Sequence, residues 1–70
     1  MKEIKASMAG SMWKMLVKEG DQVKNGQELA IMESMKMEIP VESESDGTIK
    51  EIKVAEDDFL NEGDVIFVVE

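Results

Sequence analysis

The sequence predicts an all-β fold: a flattened barrel or sandwich of about eight short strands in two halves related by a pseudo-twofold. Three observations lead there. The chain repeats at an offset of 37 residues, its five glycines fall between apolar runs, and those runs have strand lengths. The repeat sets Gly10 on Gly47, Val17 on Val54, Glu19 on Glu56, Asp21 on Asp58, Gly26 on Gly63 and Glu33 on Glu70. Between these identities, Ser11 matches Thr48, Met12 matches Ile49, Met15 matches Ile52, Val23 matches Leu60, Leu29 matches Ile66 and Ile31 matches Val68. Glycines and apolar positions agree together, which is what a duplicated β-unit requires.

Taken in order, each half begins with a stretch mixing apolar and charged residues, Met12 to Val17 in the first and Thr48 to Val54 in the second. A turn near Gly20 or Asp57 leads to one apolar residue, Val23 or Leu60, and a second turn follows at Asn25-Gly26 or Glu62-Gly63. Asn-Gly between apolar runs is a hairpin signal. Glu28 to Met32 and Val65 to Val69 then read as buried strands. A helix competes for residues 12–18, where Met12, Met15 and Leu16 fit a helical stripe, but Gly10 and Gly20 leave that segment too short for a stable helix. The five glycines and the lone Pro40 are all placed at strand ends or turns, where turn chemistry accounts for them. The chain is one domain, residues 1–70, with halves 1–33 and 38–70 and a spacer, 34–37, at the symmetry axis.

Seventy residues make a single small domain that buries only about 60% of its unfolded surface. A hydrophobic fraction of 43% is that of a globular chain. No apolar run approaches the ~20 residues of a membrane helix, and the N-terminus lacks the apolar region of a secretory signal. There is no cysteine and no histidine, which removes disulfides, thiolate metal sites and the commonest general base. Sixteen acidic residues against eight lysines give a net charge of −8, which repels nucleic acid and anionic membranes. A cytoplasmic protein is expected, with the acidic residues forming a solvated surface.

The spacer is Ser34-Met35-Lys36-Met37, with Glu33 and Glu38 outside it. Two readings of Met35 and Met37 stand on pattern alone. In a strand they share a face and pack inward, leaving Lys36 solvated between them. At a turn they are exposed, adaptable apolar side chains of the kind used at interaction surfaces, and Lys36 protrudes. A protruding primary amine is open to acylation, which removes its charge and adds a long arm.

Glu33 to Glu38, Glu-Ser-Met-Lys-Met-Glu, resembles the attachment motif Glu-(Ala/Ser)-Met-Lys-Met of biotinyl domains. The resemblance covers nearly the whole chain. Lys18 to Ile39 is similar to the family's Gly-Asp, Val, Gly-Gln, Leu pattern leading to the modified lysine, and Asp46 to Val54 to the strand after it. Small free-standing biotin/lipoyl attachment proteins are the nearest type. The resemblance implies a carrier and not an enzyme: Lys36 covalently biotinylated on a central hairpin turn, with Met35 and Met37 as adjacent recognition residues. Its implied partners are a biotin protein ligase, a biotin carboxylase and a carboxyltransferase, between which the carrier, as a monomer, shuttles a carboxyl group. The family's second Gly-Asp stands here as Asp57-Asp58, Ala9 replaces a frequent proline, and the "thumb" insertion of some bacterial carriers is missing. The alternative is a lipoyl carrier with lipoate on Lys36, although that family shows Asp-Lys-Ala where this chain has Met35-Lys36-Met37. Met-x-Met also suits Cu(I), but no Cys or His stands by to complete a site. Ser34 near Lys36 hints at Ser-Lys nucleophile chemistry, but an exposed turn offers no oxyanion hole.

Overall fold

A computed structural model describes residues 1–70. It has no helix and eight strands: β1 (Lys2–Lys5), β2 (Gly10–Met15), β3 (Gln22–Val23), β4 (Glu28–Ser34), β5 (Met37–Glu42), β6 (Gly47–Ile52), β7 (Phe59–Leu60) and β8 (Val65–Val69). They form two four-stranded antiparallel sheets, ordered β1-β8-β6-β3 and β5-β4-β2-β7. Exchanging β1 with β5, β2 with β6, β3 with β7 and β4 with β8 turns one order into the other. The pseudo-twofold is therefore complete at the level of topology.

It holds at the level of single hydrogen bonds as well. Glu56 Oε2 accepts from the Met15 N–H at 2.9 Å, and Glu19 Oε2 accepts from the Ile52 N–H at 3.1 Å. Asp21 Oδ2 accepts from Lys18 N–H as Asp58 Oδ2 does from Ala55 N–H, at 3.0 and 2.9 Å. Gly26 N–H donates to Ser43 carbonyl and Gly63 N–H to Ala6 carbonyl, at 2.8 and 2.9 Å. These acidic side chains do more than solvate the surface: Glu19 and Glu56 satisfy a backbone donor at a strand end, and Asp21 and Asp58 one within their own turn. That corrects the uniform surface expectation for Glu19, Asp21, Glu56 and Asp58.

Side chains from both halves fill the space between the sheets. Phe67, Met12, Leu29, Met32, Ile49, Ile66 and Val69 are fully buried. Each such side chain contributes roughly 1.5–3 kcal/mol by leaving water, which is how 70 residues hold together without a disulfide.

Three local expectations change. Asn25-Gly26 does not close a hairpin, because β3 pairs with β6 in one sheet while β4 belongs to the other. The turn instead carries the chain between sheets, fixed by the bond from Asn25 N–H to Asp46 Oδ1 at 2.8 Å. Pro40 lies inside β5 rather than at a strand end. It is tolerated there because β5 is an edge strand, with one side free of ladder partners. Gly10 and Gly47 open strands but are not turn glycines: a Cβ on either would sit 2.6 Å from a backbone carbonyl oxygen, that of Glu33 or Glu70. At the other irregular position, Asp57 adopts φ 75° where its counterpart Gly20 has φ 94°. Aspartate tolerates this left-handed region better than most residues, so the missing glycine leaves the turn intact.

Candidate functional site

Of all sequence-adjacent strands, only β4 and β5 pair with each other, and their hairpin carries the Met-Lys-Met stretch. Ser34 pairs with Met37, so the expected four-residue spacer is a two-residue turn closed by its outer members. Met35 has φ 51° and Lys36 φ 63°. Two left-handed residues in a two-residue loop make a type I′ turn, whose twist matches that of the flanking strands. Such turns favour Asn-Gly. Methionine and lysine there each cost on the order of 1 kcal/mol, and the strain is held because the ladder on either side over-determines it.

The base of the hairpin is fixed tightly. β4 is an interior strand, flanked by β5 and β2. Its last residue, Ser34, donates from Oγ to the Ala9 carbonyl at 2.8 Å. The lack of a side chain on Gly10 lets β2 approach the Glu33 carbonyl closely. The apex is bare: Met35 is 87% exposed and Met37 62%. The Lys36 ammonium, also exposed, enters no ion pair or hydrogen bond. Three other lysines are engaged: Lys53 with Glu51 at 3.0 Å, Lys50 with Glu70 at 4.0 Å, and Lys14 with the Trp13 ring at 5.2 Å from its centroid. The ammonium groups of Lys2, Lys5, Lys18 and Lys24 are unpaired like that of Lys36 but do not stand on a hairpin apex. Of the two readings of Met35 and Met37, the structure takes the exposed one, and the core methionines are Met12 and Met32. An amine held away from its own protein, on a turn with a rigid base, suits acylation by another enzyme.

The sequence reading brought out Met35, Lys36 and Met37 and missed Ser34 as an anchor and Gly10 as the residue that lets β2 close on β4. Ser34 lies one residue beyond the last repeated position, Glu33, so the repeat carried no signal for it. The strain at the apex makes an expectation of its own. Met35→Asn should raise stability by about 1 kcal/mol, or ~4–8 °C in melting temperature for a domain of this size, since asparagine suits the first position of a type I′ turn. Thermal unfolding checks it, and a lower midpoint would show that Met35 is held by contacts rather than strained.

Comparison with known proteins follows the geometry closely. A family model described as "Biotin-requiring enzyme" matches residues 2–69. The chain is 56% identical over 63 residues to the biotin/lipoyl attachment protein of Bacillus subtilis, covering 90% of this chain and 86% of that one. It is 37% identical over 67 residues to a biotinylated protein of Mycobacterium leprae, covering 96% and 94%. Among solved structures, urea carboxylase of Kluyveromyces lactis superposes with a TM-score of 0.93 at 28% identity, over 99% of this chain and 6% of that one.

Proposed function

The chain belongs to the family of biotin-requiring enzyme domains, and from that membership we propose that Lys36 is the residue that carries the biotin. The observation that supports the assignment most is the type I′ turn, which presents one unengaged amine between two exposed methionines. In the same reading, halves 1–33 and 38–70 are the frame and the spacer 34–37 is the working part of one cytoplasmic domain.

The residues fit the group. No side chain crowds the apex, and the amine has no competing partner. The Lys36 nitrogen attacks the acyl carbon of biotinyl-adenylate, AMP leaves, and the nitrogen's proton passes to solvent as the amide forms. Biotin bound there supplies a ureido nitrogen able to carry a carboxyl group. Lys36 provides the tether, Met35 and Met37 the adjacent grip for the ligase, and Ser34 with Gly10 the fixed base from which the tether swings. The chain performs no chemistry on the carboxyl group itself. In this reading a biotin carboxylase would load it and a carboxyltransferase would unload it, and the similarity to urea carboxylase supports a carboxylase setting. The name of the Bacillus subtilis relative covers both groups; biotin is favoured over lipoate because the family description and the Mycobacterium leprae relative name biotin, and because methionines flank Lys36.

Intact-mass analysis of the protein purified from its native host, followed by peptide mapping, tests this reading. The expected result is one biotinyl group, on Lys36. A lipoyl group would replace the cofactor assignment, and an acyl group on a different lysine would overturn the site.

The arm should move freely. Holding it against the barrel costs on the order of 1–2 kcal/mol in side-chain entropy, and no thumb-like segment stands near the turn to offset that cost. NMR of the two forms should show shifts confined to residues 33–39, with the biotin ring tumbling faster than the core. Widespread shifts would mean that the ring docks.

A further inference from the structure

The pseudo-twofold supplies an internal control for surface residues. Both sheets meet the same packing demands, so a difference between equivalent exposed positions is not required by the fold. On the outside of the lysine-bearing sheet, Phe59 on β7 pairs with Ser11, and Pro40 pairs with Ile31, which pairs in turn with Lys14. Trp13 sits beside Lys14 at the β2 bulge. The equivalent positions on the other sheet are Gln22 for Phe59, Lys50 for Trp13, Glu3 for Pro40 and, just past the strand, Lys53 for Leu16. Of the seven large apolar side chains left exposed, six lie on or beside the lysine-bearing sheet: Met8, Trp13, Leu16, Met35, Met37 and Phe59. Aromatic residues and methionine are the types enriched at protein interfaces.

The charges break the symmetry too. Glu33 stands opposite Glu38, and Glu28 opposite Glu42, on the lysine hairpin. Like charges directly across a sheet are destabilising. The equivalent of Glu28–Glu42 is Val65 opposite Lys5, which has no such repulsion. The hairpin thus carries two acidic pairs, of which Glu28–Glu42 has no counterpart in the other sheet, and a cationic partner would relieve both.

We propose that the outer face of the β5-β4-β2-β7 sheet is the docking surface for the enzyme that acylates Lys36. Phe59 and Trp13 anchor it in an apolar cleft, and Lys or Arg side chains on the cleft's rim face the two glutamate pairs. The proposal rests on Lys36 being the attachment site. The acylating enzyme is the partner that fits, because it must bring its active site to the lysine nitrogen itself. An enzyme acting on the far end of the arm meets the domain only through a long tether. An interface of ordinary size buries ~800 Å² on each side, enough to extend from the turn across β4 and β2 to Phe59.

The test is steady-state acylation by a biotin protein ligase with biotin and ATP. The wild-type chain is compared with a double variant, Trp13→Lys with Phe59→Gln, which installs the residues the opposite sheet already uses. A control variant, Lys50→Trp with Gln22→Phe, makes the reverse change on the other sheet. The double variant should raise KM for the carrier about tenfold or more, as loss of two anchoring aromatics does, with kcat and the unfolding midpoint unchanged. The control variant should leave KM where it was. Glu33→Gln with Glu38→Gln should raise KM at low salt and flatten its salt dependence. An unchanged KM in the double variant overturns the docking surface while leaving Lys36 in place. A raised KM for biotin carboxylase alone, or a wild-type dimer in sedimentation that the variant dissolves, gives the face to another occupant and overturns the proposal. A wild-type chain that the ligase does not modify overturns the attachment reading itself, and the docking proposal with it.

Discussion

Lys36→Arg should unfold at the wild-type temperature and accept no biotin at all. Two features make the effect all-or-none. The side chain at the apex is exposed and unpaired, so its replacement by another long cation falls within the ±0.5 kcal/mol typical of surface changes. The chemistry, by contrast, has no substitute. A guanidinium holds its proton and delocalises its nitrogen lone pairs, so it is a very poor acyl acceptor. The chain offers seven other lysines, but none stands on a two-residue turn. Lys14, Lys50 and Lys53 have partners, Lys2 and Lys5 lie in an edge strand, and Lys18 and Lys24 lie in the connections after β2 and β3, outside any hairpin. Mass analysis after incubation with ligase, biotin and ATP should therefore show an unmodified chain. Biotin on the variant would mean that the ligase reads something other than the turn. Loss of the cooperative transition would mean that Lys36 is structural.

The repeat was the most legible feature of the sequence, and the structure shows why. Each of its six identities does the same work twice. Gly10 and Gly47 allow a close strand approach, and Val17 and Val54 pack on the core. Glu19 and Glu56 bond a backbone N–H in the opposite half, and Asp21 and Asp58 bond one in their own turn. Gly26 and Gly63 take positive φ, and Glu33 and Glu70 supply the carbonyls that face the close-approach glycines. A residue kept at both positions is one whose backbone or carboxylate geometry the fold needs twice. What the repeat could not show lay outside it or broke it. The type I′ turn hid because Met35-Lys36 lacks the Asn-Gly signature, while the Asn25-Gly26 that bears it joins two different sheets. Sheet membership depends on which strands meet across the barrel, and no local dipeptide encodes that. The outer face of the lysine sheet was equally hidden, since its departures from the repeat read as ordinary mismatches until the sheets were assigned.

The same close approach yields the second large effect, on stability and site together. Gly10→Ala places a Cβ 2.6 Å from the Glu33 carbonyl oxygen, 3.0 Å from Ser34 Cβ and 3.3 Å from the Glu33 carbonyl carbon. Two of these three atoms are backbone, and they belong to β4, which is bonded to β5 on one side and β2 on the other. Neither neighbour can give without breaking ladder bonds. Overpacking of this kind costs about 1–3 kcal/mol, and the upper end applies where backbone meets Cβ. At ~4–8 °C per kcal/mol, the melting temperature should fall by on the order of 10–20 °C. Gly47→Ala makes the matching contacts, 2.6 Å to the Glu70 oxygen and to Val69 Cγ1. There the oxygen accepts the Thr48 N–H at 3.0 Å and the methyl belongs to the buried Val69, so a comparable loss is expected. Function separates the two variants. The strand displaced by Gly10→Ala carries Ser34, whose bond to Ala9 fixes the turn; the strand displaced by Gly47→Ala ends far from Lys36 in the ladder. At a temperature where both variants are folded, acylation of Lys36 should slow in Gly10→Ala and proceed at the wild-type rate in Gly47→Ala. Calorimetry and a ligase assay on the pair check this. Equal rates of acylation would show that the hairpin does not depend on its contact with β2.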